Sequence, residues 1–173
     1  MSASPLARPA APGPEVSAAE FKAVFRHHPA GVAVVTLRGP HGPVGFTATS
    51  VISVSAAPPV LAFSLAAASS SRPAVEQAGS VVVNFLAEEQ DGLAARFATS
   101  GIDRFAEPDW HLLPTGEPVL LGTAAWVRGE IEQRIPVGDS TLVTVRVARS
   151  RRDHATRPLL YVDRAYHRLG AGA

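Results

Sequence analysis

Two hydrophobic periods divide the chain. Phe21, Val24, Phe25 and His28 recur at three- and four-residue spacing. Ser17 and Glu20 precede them as an S-x-x-E capping box, so the pattern predicts an amphipathic helix that Pro29 ends. From Val32 the period shortens to two, and strands dominate. Val32 to Arg38 is rich in β-branched residues, and a Gly/Pro turn at 39–43 leads into Val44 to Val51. Pro58 and Pro59 break the chain before Val60 to Leu65. A short helix is expected near Pro73, a strand over Ser80 to Leu86, and a helix from Glu88 to Ala98 with Leu93, Ala94 and Phe97 on one face.

The C-terminal half is β again. Between Trp126 and Ile135, Arg128, Glu130, Glu132 and Arg134 fall on one face, and Val127, Ile131 and Ile135 on the other. Val143, Val145 and Val147 alternate with polar residues, and Leu159 to Val162 forms a last strand. Six or seven strands with short helices between them predict a mainly β fold, an antiparallel barrel closed or nearly closed. Residues 1–15, rich in Ala, Pro and Ser, read as a mobile tail, and 16–173 as one domain.

Composition narrows the chemistry. The 173 residues contain no cysteine, which excludes disulfides, thiolate catalysis and thiolate zinc sites. A net charge of +1 gives no footprint for nucleic acid or an anionic membrane. Residues 1–14 hold no signal-like apolar region and no stretch is long enough to span a membrane, so the cytoplasm is expected. His27, His28, His41, His111, His154 and His167 show no metal-binding spacing, and no metal is expected.

Three constellations remain. Thr47, Ala48, Thr49 and Ser50, followed by Ser53 and Ser55, crowd small and hydroxyl residues into a strand-like segment. They suit the polar edge of a planar heterocycle, or they are an ordinary Thr/Ser strand face. Ser69, Ser70, Ser71 and Arg72 precede Pro73 at a helix start, as a phosphate cradle or as a plain cap with a surface arginine. Gly138-Asp139-Ser140-Thr141 lies between strands and reads as a hairpin turn. The esterase nucleophile block it resembles would need a histidine, and His154 sits in a solvated arginine-rich stretch.

The order of segments carries more than any one motif. FRHHPAGVAVVT (25–36), GFTATSVISVSAAPPVL (45–61), VVVNFL (81–86), LAARFA (93–98), Arg104-Phe105, PVLLGTAAW (118–126) and PLLYVDRAY (158–166) together resemble the short-chain flavin reductase family. The resemblance covers about residues 18–170. It implies a homodimeric split β-barrel of the FMN-binding type with flavin near the subunit interface. FMN or FAD would be the cofactor, NADH or NADPH the hydride donor, and a flavin-dependent monooxygenase the partner receiving reduced flavin. Carried over by position, Thr47, Ala48, Thr49 and Ser50 would line the isoalloxazine and ribityl chain. Ser64, Ser70, Ser71 and Arg72 would take the chain and phosphate, with Asn84, Phe85 and Phe105 beside the cofactor. Asp139, Ser140 and Tyr166 would meet the nicotinamide. No acid or base is implied, because hydride transfer needs ring alignment alone.

One position departs from the family. Gly-Asp-His is usual where this chain has Gly138-Asp139-Ser140. Serine is shorter and carries no charge, which bears on nicotinamide affinity more than on the reaction class. The competing expectation is a flavin-binding electron-transfer or storage protein of the same fold. An oxidase of the pyridoxamine-phosphate type would need a more basic phosphate site.

Overall fold

The structure is a computed structural model and describes residues 15–170; the expected tail falls outside them but for Glu15. Helix α1 (Ala18–Arg26) starts as its capping box requires: Ser17 Oγ accepts the Glu20 N–H at 3.2 Å, and Glu20 accepts the Ser17 N–H at 2.9 Å. There follow β1 (Ala30–Gly31), β2 (Ala33–Gly39), β3 (Gly42–Ala48), β4 (Ile52–Ala56), β5 (Pro59–Ala66) and α2 (Arg72–Gln77). Next come β6 (Ser80–Phe85), α3 (Asp91–Ala98), β7 (Trp110–Leu112) and β8 (Pro118–Leu120). The long hairpin of β9 (Ala125–Val137) and β10 (Ser140–Arg152) and the short hairpin of β11 (Leu159–Val162) and β12 (Ala165–Arg168) complete the chain.

Seven strands form one antiparallel sheet in the order β3-β2-β6-β9-β10-β5-β4. Its concave face holds the main core: Val35 and Leu37 from β2, Phe46 from β3, Phe63 from β5, Val83 from β6 and Val143 from β10 pack in one cluster. Phe46 and Phe63, near opposite ends of the strand order, bring their ring centroids to 6.0 Å. The edge strands β3 and β4 do not pair, so the expected barrel is a curled but open ladder. The outward face of β2 is covered too. Val32 and Val34 meet Ala94 and Phe97 of α3 and Leu159 of β11 in a second core. With both faces buried, β2 reads as a nearly continuous apolar run.

The β9 alternation is corrected at Glu132. Thr144 pairs with Gln133 and Val145 with Ile131, which leaves Glu132 as an extra residue in a bulge. Such an insertion exchanges the faces beyond it. Ile135 therefore turns outward, 39% exposed, while Arg134 reaches back to the carbonyls of Val75 and Ala78 at the end of α2. Helix α3 begins at Asp91 rather than Glu88, because Gln90 folds back onto the Ala87 N–H in a turn. The expected strand over Val44 to Val51 ends at Ala48, and the Ser53–Ser55 stretch forms a separate strand, β4.

Candidate functional site

Residues 49–51 leave the ladder between β3 and β4, at the opening of the curled sheet. Ser50 bridges that opening. Its hydroxyl donates to the Ser64 carbonyl at 3.1 Å and accepts the Ser64 N–H at 3.0 Å, extending the β4–β5 ladder by one step with a side chain. Thr49 is left exposed beside it. Thr49, Ser50 and Ser64 border a cleft of about 790 Å3, within the range of small-molecule sites. Phe21 and Phe25 of α1 and Tyr161 of β11 supply its aromatic lining. Its charged neighbours are Lys22, Arg26 and Arg164, with no carboxylate among the described residues that line it. Hydroxyls, backbone outside the ladder, aromatic rings and an excess of cations suit a planar, electron-accepting heterocycle; the donor set fits a flavin.

The other expected residues divide. Thr47 faces α3 and donates to the Ala94 carbonyl at 2.6 Å, while Ala48 lies in the core. Asn84 is fully buried, its amide donating to Val34 O and Thr36 Oγ1 and its carbonyl accepting the Leu120 N–H, each at 3.0 Å. That leaves little of it for a ligand. Phe85 packs against the inner core. Tyr166 lies with Tyr161, ring centroids 5.2 Å apart, and burial, with Tyr161 and Asp91 adding, pushes its phenol above the ordinary range. It stays a neutral hydrogen-bond donor.

Gly138 and Asp139 form a two-residue hairpin loop, and Gly138 has φ +58°, the left-handed value such loops take at their first position. Asp139 O accepts the Ala67 N–H at 2.8 Å, which ties this loop to the segment leading into Ser69–Arg72. Ser140 Oγ donates to Asp139 Oδ1 at 3.1 Å. Ser71 caps α2 by position but makes no side-chain capping bond. Arg72, expected at a phosphate, pairs with Glu76 at 2.7 Å one turn on. Ser70 and Phe105 border a different groove of about 580 Å3, next to the tip of the β2–β3 hairpin.

Sequence reasoning missed Arg164 and the α1 face as cleft neighbours. Asp163 and Arg164 have φ of 48° and 62° in the β11–β12 turn, and Asp163 N–H donates to Arg26 O at 2.7 Å. A two-residue gap between short strands was the available signal, but Asn-Gly or Asp-Gly is the usual mark of this turn.

The comparisons show this architecture to be that of a flavin-reductase type of domain. The family model described as flavin reductase like domain matches residues 25–170, and the chain belongs to that family. It is 49% identical over 158 residues to an NADH:FMN oxidoreductase of Rhodococcus erythropolis, covering 88% of this chain and 82% of the relative. It is 34% identical over 146 residues to the reductase subunit of a flavin-dependent monooxygenase from Rhodococcus jostii, covering 84% and 75%. An NADH:FAD oxidoreductase of Streptomyces globisporus, solved with NAD and FAD fragments, superposes with a TM-score of 0.85 at 28% identity, covering 90% of this chain and 94% of that one. No helix among the described residues is long and apolar enough to cross a membrane.

Proposed function

We propose that the protein is an NAD(P)H-dependent flavin reductase that acts as a split-barrel homodimer and supplies reduced flavin to a partner monooxygenase. NADH and FMN are the favoured pair, as in the relative 49% identical to this chain. The monooxygenase reductase subunit among its relatives supports the role as a supplier. One observation carries the reading: the hydroxyl-bordered cleft opens beside an apolar surface that the described residues leave uncovered. Phe21 and Phe25 are each 56% exposed, and Ile52 and Val54 of β4 are exposed with them. A second copy seated there would bury these side chains and close the cleft against water.

Flavin, when bound, supplies an N5 that accepts hydride from nicotinamide C4. The chain's part is to hold and align. Thr49 and Ser64 would offer their hydroxyls to the ring edge, Ser50 fixes the Ser64 backbone, and Lys22, Arg26 and Arg164 favour an acceptor that gains negative charge. No covalent anchor is offered by these side chains, which suits a flavin that must leave. The test is NADH or NADPH oxidation with and without added FMN or FAD. Turnover above about 1 per second only when flavin is present is expected. Protein that binds flavin yet turns over no donor–acceptor pair would instead be a flavin carrier.

A further inference from the structure

We propose that the arginines at the end of β10 and along the β11–β12 hairpin form a docking face for an acidic surface of the partner monooxygenase, set at the mouth of the flavin cleft. The inference rests on the supplier role proposed above and adds where, and by what chemistry, the acceptor seats. Charge is spread unevenly along the chain. Of its 16 Lys and Arg and 15 Asp and Glu, residues 149–168 hold six arginines and two carboxylates, which leaves ten cations and thirteen carboxylates elsewhere. Arg149, Arg151, Arg152, Arg157, Arg164 and Arg168 are all exposed, and none forms an ion pair among the described residues. Arg72, Arg96, Arg128 and Arg146, by contrast, each meet a carboxylate.

The fold joins these arginines into one margin that starts at the cleft. Arg164, in the β11–β12 turn, borders the cleft itself. Arg168 stands at the other end of β12, opposite Leu159 and about 13 Å on along an extended strand. There Arg157 Nη1 donates to Leu169 O at 3.5 Å. Asp153 N–H donates to Ala124 O at 2.9 Å where the chain leaves Arg151 and Arg152 for Arg157. The carboxylates of the stretch do not neutralise it: Asp153 accepts the Ala155 N–H at 3.0 Å, and Asp163 forms no ion pair among the described residues. Glu88 donates its N–H to Arg157 O at 2.9 Å, yet its carboxylate closes on no arginine among them.

Protection of an edge strand is the alternative, since β12 ends its sheet. Charge of either sign serves that purpose, whereas here one sign prevails. A field of one sign steers an oppositely charged surface and sets its orientation. Reduced flavin reacts with dioxygen in water, so a supplier gains by releasing it against its acceptor. A nucleic acid fits less well. The carboxylate excess elsewhere repels a long polyanion, and residues 149–157 include no Phe, Tyr or Trp on which bases would stack.

Fluorescein-labelled deca-glutamate is the acidic probe, deca-thymidylate the competing polyanion of similar charge, and anisotropy with the full chain the readout. Arg151→Glu, Arg157→Glu and Arg168→Glu combined should weaken the peptide at least roughly tenfold at about 20 mM salt. Arg38→Glu, an exposed position on β2, should weaken it by less than about twofold. NADH oxidation with free FMN should stay unchanged in the triple variant, because none of the three residues borders the cleft. With the Rhodococcus jostii monooxygenase, freed of its own reductase subunit, as acceptor, product formed per NADH should fall at least about threefold in the triple variant. Equal peptide affinity in the triple variant and Arg38→Glu overturns the face, and so does tighter binding of deca-thymidylate than of deca-glutamate. Equal coupling in wild type and triple variant makes delivery diffusive and overturns the docking role. Should the triple variant fail to fold, glutamine at the same three positions removes the charge without reversing it and must weaken the peptide at least roughly threefold. A wild-type protein that oxidises no NADH with any flavin overturns the supplier reading instead, and the peptide measurements then decide the face.

Discussion

Helices α1 and α3 were equally visible as amphipathic segments, yet the chain treats them differently. Helix α3 buries Ala94 and Phe97 completely between the outer face of β2 and a ring cluster in which Phe97 and Phe105 stand edge to face at 5.0 Å. The sheet is shaped for it. A Cβ at Gly45 would come within 2.6 Å of the Phe97 ring, so only glycine lets the helix sit so close. Helix α1 buries none of its residues. Phe21 and Phe25 lie against one another, centroids 4.6 Å apart and planes tilted by 38°, and both are exposed. One apolar face finds its partner within the sheet; the other has none among the described residues.

The comparison predicts opposite responses to the same kind of mutation. Phe97→Ala should cost about 3–5 kcal/mol, because it opens a cavity in a fully buried cluster. Phe21→Ala should change monomer stability by no more than about 0.5 kcal/mol, as for an exposed site. Urea denaturation of dilute protein reads both. A large loss at Phe21 under conditions that exclude association would show that α1 already has a partner in its own chain.

The second prediction moves the test to the uncovered face. Phe25→Asp places a charge where the second copy is proposed to bury apolar rings. The dimer dissociation constant should rise by roughly a hundredfold, equivalent to about 2.8 kcal/mol at 1.4 kcal/mol per tenfold. Sedimentation equilibrium measures it. An unchanged dimer, with Phe25→Asp folded, would move the interface off α1.

Local chemistry made most of the fold legible. The capping box at Ser17, the alternation of β10, the glycine turn at 138 and the Phe97 face of α3 depend on neighbours a few residues away. What stayed hidden depends on distant ones. The bulge at Glu132 leaves the β9 sequence pattern intact and is set by pairing with β10. Glu117 is buried where hydroxyls of Ser80 and Thr115 and the Arg128 guanidinium converge; burial raises its carboxyl, but these bonds and a backbone bond hold it below the ordinary range. No local pattern marks such a carboxylate. At the candidate site, Thr49, Ser50 and Ser64 border one cleft only because β5 lies beside the end of β4, a pairing no local pattern displays. Arg72 and Glu76 stand at the four-residue spacing that lets side chains of one helix pair.

The smallest effect separates the helices by pH. The Ser17 hydroxyl, and after it the Ser17 backbone N–H, hold the Glu20 carboxyl below its ordinary range. A carboxyl depressed in the folded state stabilises above its unfolded pKa, and that contribution fades as pH falls through the folded value. Acidification below about pH 4 should therefore fray the first turn of α1. Helix α3 should keep its amide protection at the same pH, because Phe97 anchors it and its N-cap Gln90 makes no capping bond to lose. The proposed dimer would mask the difference, so the measurement is amide exchange on the Phe25→Asp monomer. Glu20→Gln keeps the reciprocal hydrogen bonds without a titrating group and should remove the pH dependence while preserving the helix start. Persistence of the acid fraying in Glu20→Gln would assign it to another group.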